Sequence, residues 1–514
     1  MIERCSSSVG PRFSDALLLQ LSSVLAERMG LDFSRNRLRD LERGVVSAAS
    51  ELGFADPDEC LRYLTLSTMT RAQLEILASH ITVGETYFYR DSKSFEALKV
   101  RALPELTGAR REGEQRIRIW SAGCATGEEP YSAAIMLDAA IPELGDWSVT
   151  ILGTDINPRF LEKAQAGVYS EWSFRDTPQW VRERYFRKGR NGYSLQPRIK
   201  EMATFEYHNL VEDPYPSLLN STNAMDIIFC RNVLMYFSPT RARDVVDHFH
   251  SSLIDGGWLV VSPVETSQTL FSRFEAVNVD GVTLYRKGPA PSWYIPAPLA
   301  AQNPLATELA ELKRETPDIP KPRRITPLPV VVQPRGVEEV KEQSAYERAL
   351  TLYEKGLYAE AAEQILSLAK QSDNVTDVKS MTVLARAMAN QGRLSDALQW
   401  CEKAIVSDKL NPGLYYLAAT ILQEQGLFDK AGALLKQAVY LDRKSVLVHF
   451  ALANLARQQG KTKESKKHFE NARVLLQAYG HDDVLPESDG MSAGRLMEII
   501  EKLTMNDGRW TKSD

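Results

Sequence analysis

Glycines at positions 356, 392, 426 and 460 follow one another at intervals of 36, 34 and 34 residues. A period of about 34 is the length of one helix-turn-helix unit, which cannot bury its apolar face alone and must stack on copies of itself. Small residues keep register with those glycines. Ala349, Ala385, Ala419 and Ala453 stand seven residues before them, Ala361, Ala397, Ala431 and Ser465 five after, and Leu368, Ala404, Ala438 and Ala472 twelve after. Small side chains at those offsets let paired helices approach closely, and glycine accepts the positive φ of the turn. Residues 342–479 therefore read as an all-α solenoid of about four units, a surface for binding proteins rather than for chemistry.

A second feature separates this array from the rest. Eleven of the 25 prolines lie between 289 and 334, too dense for helix or central strand, so residues 289–341 read as an extended linker between independent cores. Ahead of it, residues 17–29, 37–51, 59–65 and 71–79 show apolar residues at helical spacing, giving a helical N-terminal domain over 1–95. From 116 the pattern alternates. Strands are predicted at 116–121, 148–154, 225–230 and 258–262, with helices from 128, 159 and 240, and a closing hairpin (274–279, 283–287) turns through Asp280-Gly281. Residues 96–288 thus form a doubly wound, Rossmann-like α/β domain. After 480 a polar stretch leads to an amphipathic helix at about 493–503, placed to cap the array.

Composition excludes several functions. A net charge of -5 without a long basic tract argues against nucleic acid, and no apolar run approaches the 18 or so residues of a spanning helix. Residues 1–13 lack the apolar segment of a signal peptide, which predicts a cytoplasmic protein. The five cysteines contain no Cys-x-x-Cys pair, and His248 and His250, two apart on a predicted helix, diverge, so neither a disulfide framework nor a metal site is expected.

Chemistry concentrates after the first two strands. Ser121-Ala-Gly-Cys-Ala-Thr-Gly-Glu-Glu-Pro-Tyr-Ser132 is a small-residue turn opening onto a helix, where Gly123, Ala125 and Gly127 offer bare backbone to a ligand. The second strand ends Leu152-Gly-Thr-Asp155-Ile-Asn157, which puts Asp155 where a carboxylate can accept both ribose hydroxyls of an adenosine; a helix N-cap is its competing role. Glu128 and Glu129 stand where a dinucleotide would place its pyrophosphate. Carboxylates there repel phosphate and suit a cationic cofactor without phosphate, S-adenosylmethionine.

Glu85-Thr-Tyr-Phe-Tyr-Arg-Asp91, the 120–132 turn, Thr154-Asp-Ile-Asn157 and Ile228-Phe-Cys-Arg-Asn-Val-Leu-Met-Tyr-Phe237 together resemble the signature blocks of CheR-type chemoreceptor methyltransferases over about 15–288. The array at 342–479 resembles tetratricopeptide repeats. The first resemblance implies a small β-subdomain, here at about 185–207, and S-adenosylmethionine-dependent methylation of glutamate side chains in methyl-accepting chemotaxis receptors, yielding S-adenosylhomocysteine. Carried over by position, it implies cofactor contacts from Thr86, Arg90, Glu129, Asp155, Asn209, Leu210, Arg231 and Asn232. Arg90 and Tyr236 would lie near the reacting groups, the first holding a carboxylate and the second orienting the acceptor. Two departures are visible: Gly84 stands where some relatives have a side-chain amide, and Phe88-Tyr89 replaces a pair of phenylalanines.

The implied chemistry needs no general base. A glutamate carboxylate, with a reference pKa near 4.3, is already an oxygen nucleophile at neutral pH, so the task is proximity and desolvation. Arg231-Asn-Val-Leu is also unlike the Asn/Asp-Pro-Pro-aromatic motif that holds amine acceptors. Arg35, Arg37, Arg39 and Arg43 give one N-terminal helix a basic bias suited to docking an acidic receptor helix, with an ordinary solvated face as the alternative. The repeats would recruit a further protein partner. Two other readings remain: a regulatory scaffold that binds S-adenosylmethionine and acts through its repeats, and a small-molecule carboxyl methyltransferase.

Overall fold

Successive side chains of the fully buried central strands point alternately into two cores, one on each face of a single sheet. In the computed structural model, which describes residues 13–33, 37–110, 115–288, 345–371 and 377–507, that sheet has seven strands. They are β1 (Arg116–Ala122), β2 (Ser148–Asp155), β6 (Ala203–Tyr207), β7 (Met225–Phe229), β8 (Leu253–Val260), β9 (Glu275–Val279) and β10 (Val282–Arg286), in the order β6-β2-β1-β7-β8-β10-β9. The first five run parallel, and the closing hairpin β9–β10 adds the antiparallel edge expected from Asp280-Gly281. Ile117 and Ile119 face one core with Ile227 and Phe229, while Trp120 and Ala122 face the other with Ile228. Strand order reverses between β1 and β7, and a ligand cleft opens at the carboxyl ends of parallel strands at such a reversal.

The small β-subdomain differs from its expected bounds. Its three strands are β3 (Val168–Tyr169), β4 (Phe186–Gly189) and β5 (Gly192–Leu195), in the order β3-β5-β4. Residues 203–207 instead pair in parallel with β2 in the main sheet, where Phe205 packs into the core and Gly153, lacking a Cβ, leaves room for its ring. A half-buried strand directly after a hairpin carries no local sign of which sheet it joins.

Four helices, Asp15–Arg28, Leu38–Ala48, Pro57–Leu66 and Arg71–Ile81, form a separate N-terminal core around Leu18, Leu21, Phe33, Leu41 and Leu77. Ile156, Tyr236 and Phe237 of the α/β half pack against it. No helix among the described residues is long and apolar enough to cross a membrane.

Eight helices from Ala345–Glu354 to Thr462–Leu476 form the array. Gly356, Gly392, Gly426 and Gly460 all sit at left-handed φ between +69° and +75°, closing successive helix pairs. The described register residues, among them Ala385, Ala397, Ala404, Ala419, Ala431, Ala438, Ala453 and Ser465, are fully buried between helices. The helix Ala493–Asp507 caps the array by burying Leu496 and Ile500 beside Phe469 and Leu476. The linker expected at 289–341 lies outside the described residues.

The two halves touch. Leu218 belongs to the core of the first repeats, Ser251 packs on Gly356, and Arg118, buried at the start of β1, pairs with Glu424 of the helix Pro412–Glu424. Farther along, Arg495 pairs with Asp213 at 3.0 Å and Glu498 with Arg71 at 2.9 Å. Cores expected to be independent thus share a polar and apolar seam. The four described cysteines are buried and unpaired, and His248 and His250 diverge, one packing on Tyr215 and the other on Phe274.

Candidate active site

The turn after β1 is pinned to the end of β2. Ala122 is in register with Thr154, whose carbonyl accepts the amides of Gly123 at 2.8 Å and Cys124 at 2.9 Å. Gly123 takes φ +79°, and a side chain there would collide with Val233. Gly123 and Ala125 line the cleft. Gly127 does not; its missing side chain makes room for Ala164 and Tyr169, a packing role where ligand approach was expected.

Asp155 reaches into the same cleft and is 8% exposed. One of its oxygens accepts the amide of Ala125 at 2.9 Å and the other that of Asn157 at 2.8 Å, leaving further acceptor capacity on both. Asn157, not Asp155, caps the helix Pro158–Ala166. Burial pushes the Asp155 carboxyl up to about 6, against the opposing backbone amides. Donors from a bound ligand would offset that desolvation.

The paired glutamates separate. Glu128 accepts from Thr126 at 2.7 Å and Ser173 at 3.0 Å and does not line the cleft. Glu129 does line it, accepting Ser121 Oγ at 2.6 Å and the Arg231 guanidinium at 3.2 Å. Its carboxyl is raised by burial, while Arg231 and Ser121 pull the other way. Arg231 also donates to the carbonyl of Arg90 at 2.5 Å, so this buried cation holds Glu129 and the Arg90 backbone in place.

Asn232, at φ +58°, begins the turn after β7. Glu265 organises that turn, accepting the amides of Asn232 at 2.7 Å, Val233 at 2.8 Å and Met235 at 3.2 Å. Sequence reasoning missed Glu265, although Ser262-Pro-Val-Glu265 spells a capping box, which it forms here. The turn ends at Tyr236. Its carbonyl accepts the Asp32 amide at 2.8 Å, and the Arg37 guanidinium lies 4.7 Å from its ring centroid.

All of Thr86, Arg90, Glu129, Asp155, Asn209, Leu210, Arg231, Asn232 and Tyr236 line one cleft. Arg90 folds back to donate to the Glu85 carbonyl at 2.5 Å. Asn209 spends its amide on the Arg28 carbonyl at 2.8 Å and receives Val211 N–H, so it shapes the wall between the N-terminal domain and the loop after β6. Gly84 admits the ring of Phe160, another cleft residue; a Cβ there would come within 2.5 Å of it. Phe88 and Tyr89 are core aromatics, Phe88 packing on Tyr169, Phe174 and Phe186. Of the basic row, Arg37 alone lines the cleft among the described residues; Arg39 pairs with Glu42, Arg43 with Asp40, and Arg35 lies outside the described residues.

The cleft therefore presents three carboxylates, of which Glu85 is paired with Arg175, leaving Glu129 and Asp155. Leu210 and Phe160 give apolar walls, and of the three lining arginines Arg231 is held by Glu129, Arg37 stacks on Tyr236 and Arg90 completes the set. Asp155 retains acceptor capacity for ribose hydroxyls, and Glu129 offers charge to a cationic amino acid end. The residues present fit S-adenosylmethionine, with Arg37 and Arg90 left to meet an anionic acceptor.

Comparison with known proteins agrees with this chemistry. A family profile described as "CheR methyltransferase, SAM binding domain" matches residues 84–282, and two tetratricopeptide repeat profiles match 346–413 and 412–445. A chemotaxis protein methyltransferase of Borreliella burgdorferi is 31% identical over 252 residues, covering 48% of this chain and 87% of the relative. Chemotaxis protein methyltransferase 1 of Pseudomonas aeruginosa is 35% identical over 217 residues, 41% of this chain and 77% of its own length. A probable biofilm formation methyltransferase, WspC, of Pseudomonas putida is 29% identical over 416 residues, spanning 80% of this chain and 94% of the relative.

Proposed function

The chain belongs to the CheR family of S-adenosylmethionine-dependent methyltransferases, and we propose that it methylates glutamate side chains of a methyl-accepting, chemotaxis-type receptor while its repeats recruit a further protein. The observation that carries the acceptor assignment is the pair Arg37 and Tyr236, stacked at 4.7 Å in the same cleft as Asp155 and Glu129. When bound, S-adenosylmethionine supplies a methyl group on a sulfonium, ready for an oxygen nucleophile. Asp155 would hold the ribose, Glu129 the amino group, and Leu210 and Phe160 would flank the base. Arg37 and Arg90 would orient the incoming carboxylate, and Tyr236 would fix its position relative to the methyl group. An ionised glutamate needs no base to activate it, which accords with a cleft in which Asp155 and Glu129 would serve the cofactor and Glu85 is held by Arg175.

Relatives named for chemotaxis and for biofilm formation support a signalling receptor as the acceptor, and the repeats give a means of reaching it or its partners. The test is methyl transfer from labelled S-adenosylmethionine to receptor cytoplasmic fragments, followed by alkaline release of methanol. Base-labile label that disappears in Arg90→Ala and Tyr236→Phe establishes a carboxyl ester. Label stable to alkali overturns the carboxylate assignment.

A further inference from the structure

The first helices of successive repeats line a groove, and in this chain that groove is filled. Arg386, on the helix Val378–Asn390, and Thr420, on Pro412–Glu424, both stand six residues before their turn glycines and so share a face. Beside them are Tyr353, Asn390 and Tyr416; Asn390 donates to the Tyr353 hydroxyl at 3.2 Å. Between the last repeat and the cap helix, residues 484–492 form a closed loop, with Val484 bridged to Ser492 and the Leu485 amide donating to the Met491 carbonyl at 3.0 Å. Leu485 and Met491 anchor its base in the core of the last repeats. Its tip enters the groove.

There Arg386 grips both acidic residues of the tip, Asp489 at 2.6 Å and Glu487. Asp489 lies within electrostatic reach of Tyr353 and Tyr416, and Glu487 rests against the N-terminal turn at Gly413. Glu487 and Asp489 both adopt left-handed φ, +63° and +52°, a conformation non-glycine residues rarely hold without tertiary contacts to enforce it. Arg386, with its side chain 13% exposed, thus forms a carboxylate receptor inside a surface of the kind that repeat arrays use for recognition.

We propose that this groove docks an acidic turn of a partner protein, carrying two carboxylates two residues apart, and that loop 484–492 is its occupant in cis. The tethered loop competes at an effective concentration of about a millimolar, so a partner must present the same carboxylates on a preformed turn to displace it. The inference rests on the reading of the repeats as a partner-binding array. It is independent of the glutamate chemistry, which methyl transfer tests separately.

The probe is a fluorescent peptide of residues 483–493, closed by a disulfide through Val484→Cys and Ser492→Cys and titrated into the full-length protein by anisotropy. In Glu487→Ala/Asp489→Ala protein, where the cis loop lacks its carboxylates, the peptide should bind about tenfold or more tighter than to the wild type. Adding Arg386→Met should abolish that gain. The same peptide with Glu487→Gln and Asp489→Asn should bind the double variant about tenfold more weakly, since charge-assisted bonds to arginine are lost. Equal binding of the acidic and amide peptides, or no gain in the double variant, overturns the proposal. So does a concentration-dependent dimer that excludes the peptide, which would assign the groove to the loop of a second copy. Circular dichroism melts verify each variant's fold. Where a variant does not fold, the two peptides are compared on the wild-type protein at millimolar concentration, with equal binding again decisive against the proposal.

Discussion

The guanidinium of Arg37 lies 4.7 Å from the centroid of the Tyr236 ring and the same distance from that of Phe33. This stack ties the N-terminal helical domain to the turn after β7, and the neighbouring bridge between Leu31 and Phe237 reinforces it. This wall of the cleft is therefore built by two domains. Under the proposed function, a glutamate presented there would meet a cation from one and a hydroxyl from the other.

Arg37→Ala should separate acceptor from cofactor. A partly desolvated cation–π contact is worth about 1–2 kcal/mol, so kcat/KM for a receptor fragment should fall about tenfold or more. S-adenosylmethionine affinity by calorimetry should stay within about twofold of wild type. Equal losses in both would mean that Arg37 supports the cleft as a whole.

Asp155 sets a pH dependence with a definite sign. Its carboxyl is raised from 3.8 to about 6 by burial, so the folded protein holds this proton more tightly than the unfolded chain. That contribution to stability is complete below pH 3.8 and is lost as pH rises through about 6. Cofactor binding should run oppositely, because Asp155 in its proposed role would accept the ribose hydroxyls in its ionised form. Affinity should be full above about pH 7 and fall towards tenfold per pH unit below about 6. Asp155→Asn should abolish this pH dependence along with most of the affinity; calorimetry at about pH 5.5 and 7.5 decides.

Glu265 should matter more than its position suggests. Its carboxylate accepts three amides of the Asn232–Met235 turn, and Glu265→Ala would leave those donors unpaired. Loss of stability of roughly 3 kcal/mol, read from urea unfolding, should accompany loss of cofactor binding. Glu265→Gln, which can accept only on its carbonyl oxygen, should fall between. A fully active Glu265→Ala protein would show that the turn holds itself.

Legibility in the sequence followed the locality of the signal. Turn glycines 356 to 460 and the strand ends at Ala122 and Asp155 are set by their own neighbours, and each motif drawn from them reaches the cleft or the array core. Orientation was less legible. Nothing local says that Glu129 faces the cleft while Glu128 turns to Thr126 and Ser173, or that Asn209 spends its amide on Arg28. Long-range partners were invisible for the same reason. Residues 116–121 are predicted as a strand, but nothing local in Arg116-Ile-Arg118-Ile says that the repeats cover its two arginines.

That covered face yields a test in which the smaller change is the more damaging. Arg118 has a side chain only 3% exposed, paired with Glu424 and donating to the Ser221 carbonyl at 2.7 Å. Glu424→Ala in the full-length chain keeps the cover and removes the counter-charge. An arginine left buried without its carboxylate costs about 3–5 kcal/mol. Truncation after Gly288 instead uncovers Arg118 to water, which solvates the cation, and exposes Leu218 with the surrounding seam. The truncated protein should fold and bind S-adenosylmethionine, with a loss at this site smaller than that of Glu424→Ala in the intact chain. Thermal melts of the two proteins, each followed with and without S-adenosylmethionine, make the comparison. If Glu424→Ala melts like wild type, the pair lies in a wetter seam than its burial indicates. If the truncated protein loses the cofactor as well, the wall at Asn209 depends on Arg495 of the cap helix, which reaches it through Asp213.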